Sequence, residues 1–257
     1  NKEYVILGKG VGFGKKVSQR FDKPEGCTTY RLEQETERGS AKELVKGIEP
    51  EYLEIADAIL TESQKVFGDS IDRGILFPLA DHISFAVARI RRNEQISNPL
   101  TEDIKVLFYS EFKVAETLKT ILRERLQIEI DDHEVGYVAL HIHSAIGDEK
   151  VSVAMQTARA VRECIDMIEK ATGKPIDVLS LSYNRLMNHM KYMVARASTG
   201  EKLNLDMNEY MLDQYPQAYK VATDICKNLE GCIGHNLDET ETGYLAMHIQ
   251  RVYKDAV

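Results

Sequence analysis

Apolar residues recur at helical spacing through most of this chain, and the pattern is laid down twice. Ile55, Ile59, Val66 and Phe67 open the first helical stretch, which Gly68-Asp69-Ser70-Ile71-Asp72 interrupts. A helix carrying His82 is expected next, then one from Glu111 to Leu126 with Phe112, Ala115, Leu118, Leu122 and Leu126 on one face. A third carries His141, with Asp131-Asp132 as its N-cap and acidic first turn. Residues 146–155 join this set to a second one, expected at Val153 to Ala171, Leu181 to Ala197, Tyr215 to Asn228 and Leu237 to Val252. Ahead of them the pattern is different. Residues 3–8 read as a short strand ended by glycine, 17–31 as irregular, and 32–49 as a charged linker or linking helix. The expected fold is mainly α: two homologous helical-bundle domains in tandem, preceded by a short β fragment.

The second set copies the first at an offset of 107 residues. His82 to Arg89 (His-Ile-Ser-Phe-Ala-Val-Ala-Arg) aligns with His189 to Arg196 (His-Met-Lys-Tyr-Met-Val-Ala-Arg). Glu134 to Ile142 (Glu-Val-Gly-Tyr-Val-Ala-Leu-His-Ile) aligns with Glu241 to Ile249 (Glu-Thr-Gly-Tyr-Leu-Ala-Met-His-Ile), and Phe112-Lys113-Val114-Ala115 with Tyr219-Lys220-Val221-Ala222. The offset is 105 at Gly68 and Gly173, so two residues were inserted before the second histidine helix. A repeat this long is a domain duplication rather than a solenoid unit. It divides the chain into residues 1–31, a linker at 32–50, and domains at 51–152 and 153–257.

Within the repeat, four of the seven histidines keep their places: His82 and His141 stand 59 residues apart, as do His189 and His248. His133 and His143 do not recur, their counterparts being Thr240 and Gln250, and His235 sits in a glycine-bounded loop. Three readings are open for the four. As core histidines, each would be a polar tip satisfied by one hydrogen bond. As metal ligands they would need a third ligand and an open position, yet Asp81 is replaced by Asn188 and no HExxH occurs. As phosphoryl acceptors, neutral imidazoles are nucleophiles near pH 7, and the added charge could re-pack a helix interface. Arg89 and Arg196, seven residues after His82 and His189, lie roughly 10 Å along the helix and are candidate partners across an interface.

Charge and composition refine this picture. The net charge is −8, but residues 1–31 hold seven basic and three acidic side chains, which leaves −12 for the rest. A basic head on an acidic body fits a head that alone meets a polyanion. The head contains Gly8-Lys9-Gly10-Val11-Gly12-Phe13-Gly14-Lys15-Lys16. The spacing is neither a P-loop nor GxGxxG. What remains is a glycine turn with an aromatic and lysines, the chemistry that grips unpaired RNA, against the plainer alternative of a hairpin turn. The four cysteines have no metal or disulfide spacing and read as free cytosolic thiols. No apolar run reaches the roughly 18 to 20 residues of a membrane span, and no secretory signal opens the chain. The chain begins at Asn1 and is expected to be part of a longer protein.

Asp81-His-Ile-Ser-Phe-Ala86 with Gly136-Tyr-Val-Ala-Leu-His141, and Asn188-His-Met-Lys-Tyr192 with Gly243-Tyr-Leu-Ala-Met-His248, resemble the signatures of the phosphotransferase-system (PTS) regulation domains. These domains belong to the BglG/LicT/GlcT-type transcriptional antiterminators, and the resemblance covers nearly the whole chain. The glycine segment is similar to the closing half of that family's co-antiterminator domain, whose opening strands are missing before Asn1. The resemblance implies a non-enzymatic, cofactor-free, cytoplasmic homodimer that binds an RNA hairpin in a leader transcript. Gly8, Lys9, Gly10 and Phe13 match the RNA-contacting segment. His82, His141, His189 and His248 match the residues phosphorylated by a sugar-specific enzyme II, usually on the first domain, and by HPr, usually on the second. The alternative is a PTS-responsive regulator acting through DNA or a protein partner. Such a relative would carry a helix-turn-helix or activator module in place of the basic glycine segment.

Overall fold

The structure, a computed structural model, describes residues 3–8, 11–12, 14–16, 19–20, 22–23, 26–32, 35–36, 39–40, 45, 47–94, 96–147, 150–173, 175–177 and 180–255. Lys9, Gly10 and Phe13, three of the four candidate RNA contacts, lie outside the described residues. The fourth, Gly8, is exposed and closes against Cys27, whose Sγ would lie 2.4 Å from a Cβ at that position. The chain forms two compact units, one of residues 1–98 and 110–149, the other of 99–109 and 150–257.

The first unit starts with a hairpin. Strand β1 (Tyr4–Leu7) pairs antiparallel with β2 (Thr28–Arg31), in a register that sets Tyr4 against Arg31 and Leu7 against Thr28. Residues 28–31 are therefore a strand, where the sequence pattern gave irregular chain. Four residues are too few for alternation to be read, and a neighbouring strand supplies the ordering. Tyr30 is buried, meets Phe77 edge-on at 6.2 Å, and donates its hydroxyl hydrogen to Asp57. Arg73 donates to the Tyr30 hydroxyl at 2.8 Å and to Asp57 at 2.6 Å, so one polar cluster seats the hairpin on the helices that follow. Two-residue strands β3 (Glu35–Thr36) and β4 (Gly39–Ser40) pair within the segment expected as a linker.

Helix α1 (Pro50–Phe67) begins on a proline, whose fixed φ suits a first turn, and ends at Gly68 with φ 67°. It buries Tyr52, Leu53, Ile55, Ala56, Ile59 and Leu60 against α2 (Leu76–Arg91). Single 3-10 turns at Gly68–Ser70 and Arg73–Ile75 occupy the break between them. The expected helix from Glu111 to Leu126 is divided at Glu116 into α4 (Tyr109–Ala115) and α5 (Thr117–Leu126). Helix α6 (Asp132–Gly147) closes the unit, and the Asp72 amide donates to its Ala145 carbonyl at 2.8 Å.

The second unit holds α3 (Thr101–Leu107), α7 (Val151–Thr172), α8 (Leu181–Thr199), α9 (Asn208–Gln214), α10 (Pro216–Ile233) and α11 (Thr240–Asp255). Helices α10 and α11 pack together, α7 lies on α10, and α8 on α11. Helices α3 and α9 stand at matching repeat positions, and neither was expected, because seven residues span only two turns. The copies use them differently. Helix α9 packs on α10 and α11, whereas α3 packs on α7 and α8, where buried Asp103 accepts from Tyr183 at 3.3 Å.

Gly243 is required by packing rather than by φ. A Cβ there would lie 2.7 Å from the Met207 carbonyl carbon and 2.8 Å from the Asn208 amide, both backbone atoms that cannot swing aside. Gly243→Ala should therefore cost about 2 kcal/mol, as overpacking does. Gly231→Ala, on the same unit but with open space around it, should stabilise by a few tenths to about 1 kcal/mol through helix propensity. Thermal unfolding of the two variants checks this. An unchanged Tm for Gly243→Ala would contradict it.

Candidate phosphoryl-acceptor site

Each copy builds the same four-residue cluster from two seven-residue spacings. On α2, His82 and Arg89 are seven apart; on α6, Glu134 and His141 are seven apart. Arg89 reaches Glu134 and His82 reaches His141, so the two helices run antiparallel with these pairs in register. In the second copy Arg196 meets Glu241 and His189 meets His248, on α8 and α11.

The start of each second helix fixes the register. Asp131 Oδ1 accepts from the His133 amide at 3.0 Å and the Glu134 amide at 3.2 Å, which caps α6 and puts Glu134 in its first turn. Asp238 caps the matching helix by accepting from the Thr240 amide at 3.1 Å and its hydroxyl at 2.6 Å. Those two bonds and Lys202 hold the half-buried Asp238 carboxyl down at about 2.

The two domains differ in detail. Arg89 Nη2 donates to Glu134 Oε1 at 2.8 Å, leaving Oε2 facing His82 Nε2 at 3.4 Å. Arg196 takes both oxygens of Glu241, Nε to Oε1 at 2.6 Å and Nη2 to Oε2 at 2.9 Å, with His189 Nε2 at 3.6 Å. The imidazole centroids are 5.3 Å apart and tilted in the first domain, 4.8 Å apart and stacked in the second. Tyr137 lies beside His82 at 5.7 Å, and Tyr244 beside His189 at 6.2 Å.

Burial decides the charge states. Desolvation, with His248 and Arg196 adding to it, pulls His189 from 6.5 down to about 3. Desolvation, with Arg251 and Arg185, pulls His248 down to about 4. Both are neutral at pH 7 and carry a free lone pair, the state a nucleophile needs. Burial alone would raise the Glu134 carboxyl, but the His82 and Arg89 contacts outweigh it and leave the group below its ordinary value.

The repeated histidines are thus brought together in pairs, and the arginines engage across a helix interface, as the spacing implied. The glutamates were missed as functional residues. Their signal was present: Glu134 recurs at Glu241, seven residues before each second histidine. The other histidines sit elsewhere. His133 Nδ1 lies 3.1 Å from the Asn98 carbonyl oxygen, His143 Nδ1 lies 2.9 Å from Glu111, and His235 is exposed. Asp81 is buried while its counterpart Asn188 is exposed. Among the described residues no group of three or more His, Cys, Asp or Glu could hold a metal ion, and no helix is long and apolar enough to cross a membrane.

A family model described as "PRD domain" matches residues 57–145 and 162–252. "Protein GlcT" of Staphylococcus haemolyticus (strain JCSC1435) is 27% identical over 252 residues, 97% of this chain and 89% of that protein. "GlcA/glcB genes antiterminator" of Staphylococcus carnosus (strain TM300) is 29% identical over 253 residues, 96% of this chain and 87% of that one. "Transcription antiterminator LicT" of Bacillus subtilis (strain 168) is 26% identical over 259 residues, covering 99% and 93%. The solved structure "Crystal structure of GlcT CAT-PRDI" is similar with a TM-score of 0.48 and 26% identity, over 56% of this chain and 86% of that one.

The geometry has consequences for stability. Arg196→Met strands a buried carboxylate and should cost about 3 kcal/mol, and Arg89→Met less, since Arg89 makes one bond to its carboxylate where Arg196 makes two. Urea unfolding reads the difference, and equal losses would contradict it. His189 and His248 bind fewer protons folded than unfolded between their depressed values, about 3 and about 4, and the ordinary 6.5. Their contribution is therefore complete above pH 6.5 and is lost as pH falls from there toward 4 and 3. Imidazole resonances that titrate with midpoints near 6.5 would overturn this reading.

Proposed function

The chain belongs to the PRD domain family, and from that membership we propose that it is a cytoplasmic transcriptional antiterminator for sugar-utilisation genes, a regulator rather than an enzyme, controlled by PTS-dependent histidine phosphorylation. Relatives named as antiterminators, matched over nearly their whole length, support the output. The observation that carries the input is the repeated pair of facing imidazoles, His82 with His141 and His189 with His248. We take residues 51–152 and 153–257 as the two regulatory modules and residues 32–50 as their linker to the head.

In this reading the four histidines accept phosphoryl groups, from a sugar-specific enzyme II on the first domain and from HPr on the second. A neutral imidazole attacks without a separate base. The product places a phosphoryl group of roughly −2 charge beside a buried carboxylate, so the helix pair must re-pack. In the second domain the cations placed to receive the new charge are Arg196 at His189, and Arg251 and Arg185 at His248. Residues 1–31, the end of an RNA-binding domain, deliver the output as part of a homodimer on a leader-transcript hairpin. Gly8, Lys9, Gly10 and Phe13 form the contact segment.

Phosphotransfer from purified enzyme I and HPr, with and without an enzyme II, tests the input. HPr alone should label the wild-type chain but not His189→Ala/His248→Ala. Labelling of His82 and His141 should require the enzyme II. If no histidine takes up label from either donor, the regulatory reading fails. A chain carrying the complete head should bind an antiterminator-type hairpin, and loss of that binding in Phe13→Ala would locate the contact. Failure to bind any such hairpin would overturn the output.

A further inference from the structure

The glutamate of each cluster has a role that the acceptor reading does not use. Glu134 Oε2 and His82 Nε2 are both buried, neither has a hydrogen-bond partner, and they face each other at 3.4 Å. His189 Nε2 is likewise buried and faces Glu241 Oε2 at 3.6 Å. A carboxylate oxygen and an imidazole lone pair would repel at such a separation. The approach is tolerable when Nε2 carries the proton. The arginines hold each carboxylate in place, through one bond in the first domain and two in the second.

We propose that Glu134 and Glu241 are positioning residues for phosphoryl acceptance: each fixes the Nε2–H tautomer of the histidine it faces and directs the phosphoryl group to Nδ1 of His82 and His189. This rests on the reading of those histidines as acceptors. With the proton on Nε2, the only lone pair left on the ring is that of Nδ1. A phosphoryl group on Nε2 would instead have to occupy the space of a pinned carboxylate.

The transfer balances as follows. We take the donor to be a phosphohistidine in its ring-protonated form. Its P–N bond breaks, and the electron pair returns to the donor nitrogen, leaving a neutral imidazole. The Nδ1 lone pair of His82 or His189 forms the new P–N bond, and the Nε2 proton stays in place. The acceptor ring gains positive charge, and the glutamate stands against the nitrogen where that charge is shared. The contacts of 3.4 and 3.6 Å are long for hydrogen bonds and are expected to tighten as the charge develops. His189 is neutral at pH 7, so its Nδ1 lone pair is available before the donor arrives. The two domains should differ in degree. Glu134 has an oxygen to give wholly to His82, whereas Glu241 has both oxygens engaged by Arg196.

Long-range proton–nitrogen NMR on the 15N-labelled wild-type chain tests the tautomer without any donor. His82 and His189 should show a protonated Nε2 and an unprotonated Nδ1; the opposite tautomer overturns the proposal. After phosphorylation with enzyme I and HPr, and with enzyme II for the first domain, the same nuclei should place phosphorus on Nδ1. Phosphorus on Nε2 overturns it equally. Glu134→Gln and Glu241→Gln should slow transfer to the facing histidine by on the order of a hundredfold and shift its rate-against-pH profile, and Glu241→Asp should recover part of the rate. Wild-type rates in both Gln variants would sink the positioning role. If the wild-type chain takes up no phosphoryl group at all, the functional reading fails, and the tautomer still decides the role of the glutamates.

Discussion

The arginine–glutamate pair that crosses each antiparallel helix couple is the contact on which the site depends. Arg89 with Glu134, and Arg196 with Glu241, tie the far end of the first histidine helix to the first turn of the second. Because both helices use a seven-residue spacing, closing that end sets the histidines face to face at the other. The aspartate caps at Asp131 and Asp238 fix where the second helix starts, and so fix the height of its glutamate. In the second domain Gly243 lets α9 come within backbone contact of α11, which leaves that helix little room to shift.

The same contact shapes the chemistry. A buried carboxylate needs a cation, and the arginine supplies it permanently, so the histidine has no need to charge. Burial then keeps His189 and His248 neutral at working pH, where a protonated imidazole would be no nucleophile. A phosphoryl group added to such a pair brings negative charge to a place already holding a glutamate. A change of charge at that place is the kind of local event that can bias a helix interface. The domains are not equivalent: one arginine bond in the first and two in the second give the carboxylates different freedom toward their histidines. That inequality is independent of the Asp81 and Asn188 difference.

Much of this was visible in the residues. The helical class, the duplication and the histidine pairing follow from one self-comparison, because long amphipathic helices and an offset of 107 residues leave little latitude. The arginines could be assigned to an interface, since ten ångströms along a helix put them out of reach of their own histidines. Glu134 and Glu241 escaped notice because an acid in a first turn has an ordinary explanation in the helix dipole. Strand β2 and helices α3 and α9 are too short for periodicity to announce them, and tertiary contacts supply their order. Nothing in the pattern shows that α3, despite its place in the first repeat, packs on α7 and α8. That depends on partners far away in the sequence, such as Tyr183, whose hydroxyl donates to Asp103.

The central claim is that the duplicated histidines, and not the unduplicated ones, are the phosphoryl acceptors. Residue-resolved mass spectrometry on the chain phosphorylated by enzyme I, HPr and an enzyme II, handled at alkaline pH to preserve P–N bonds, tests it most directly. The account predicts phosphate on residues among His82, His141, His189 and His248, and none on His133, His143 or His235. Phosphate on any of those three, with the four paired histidines unmodified, would contradict it.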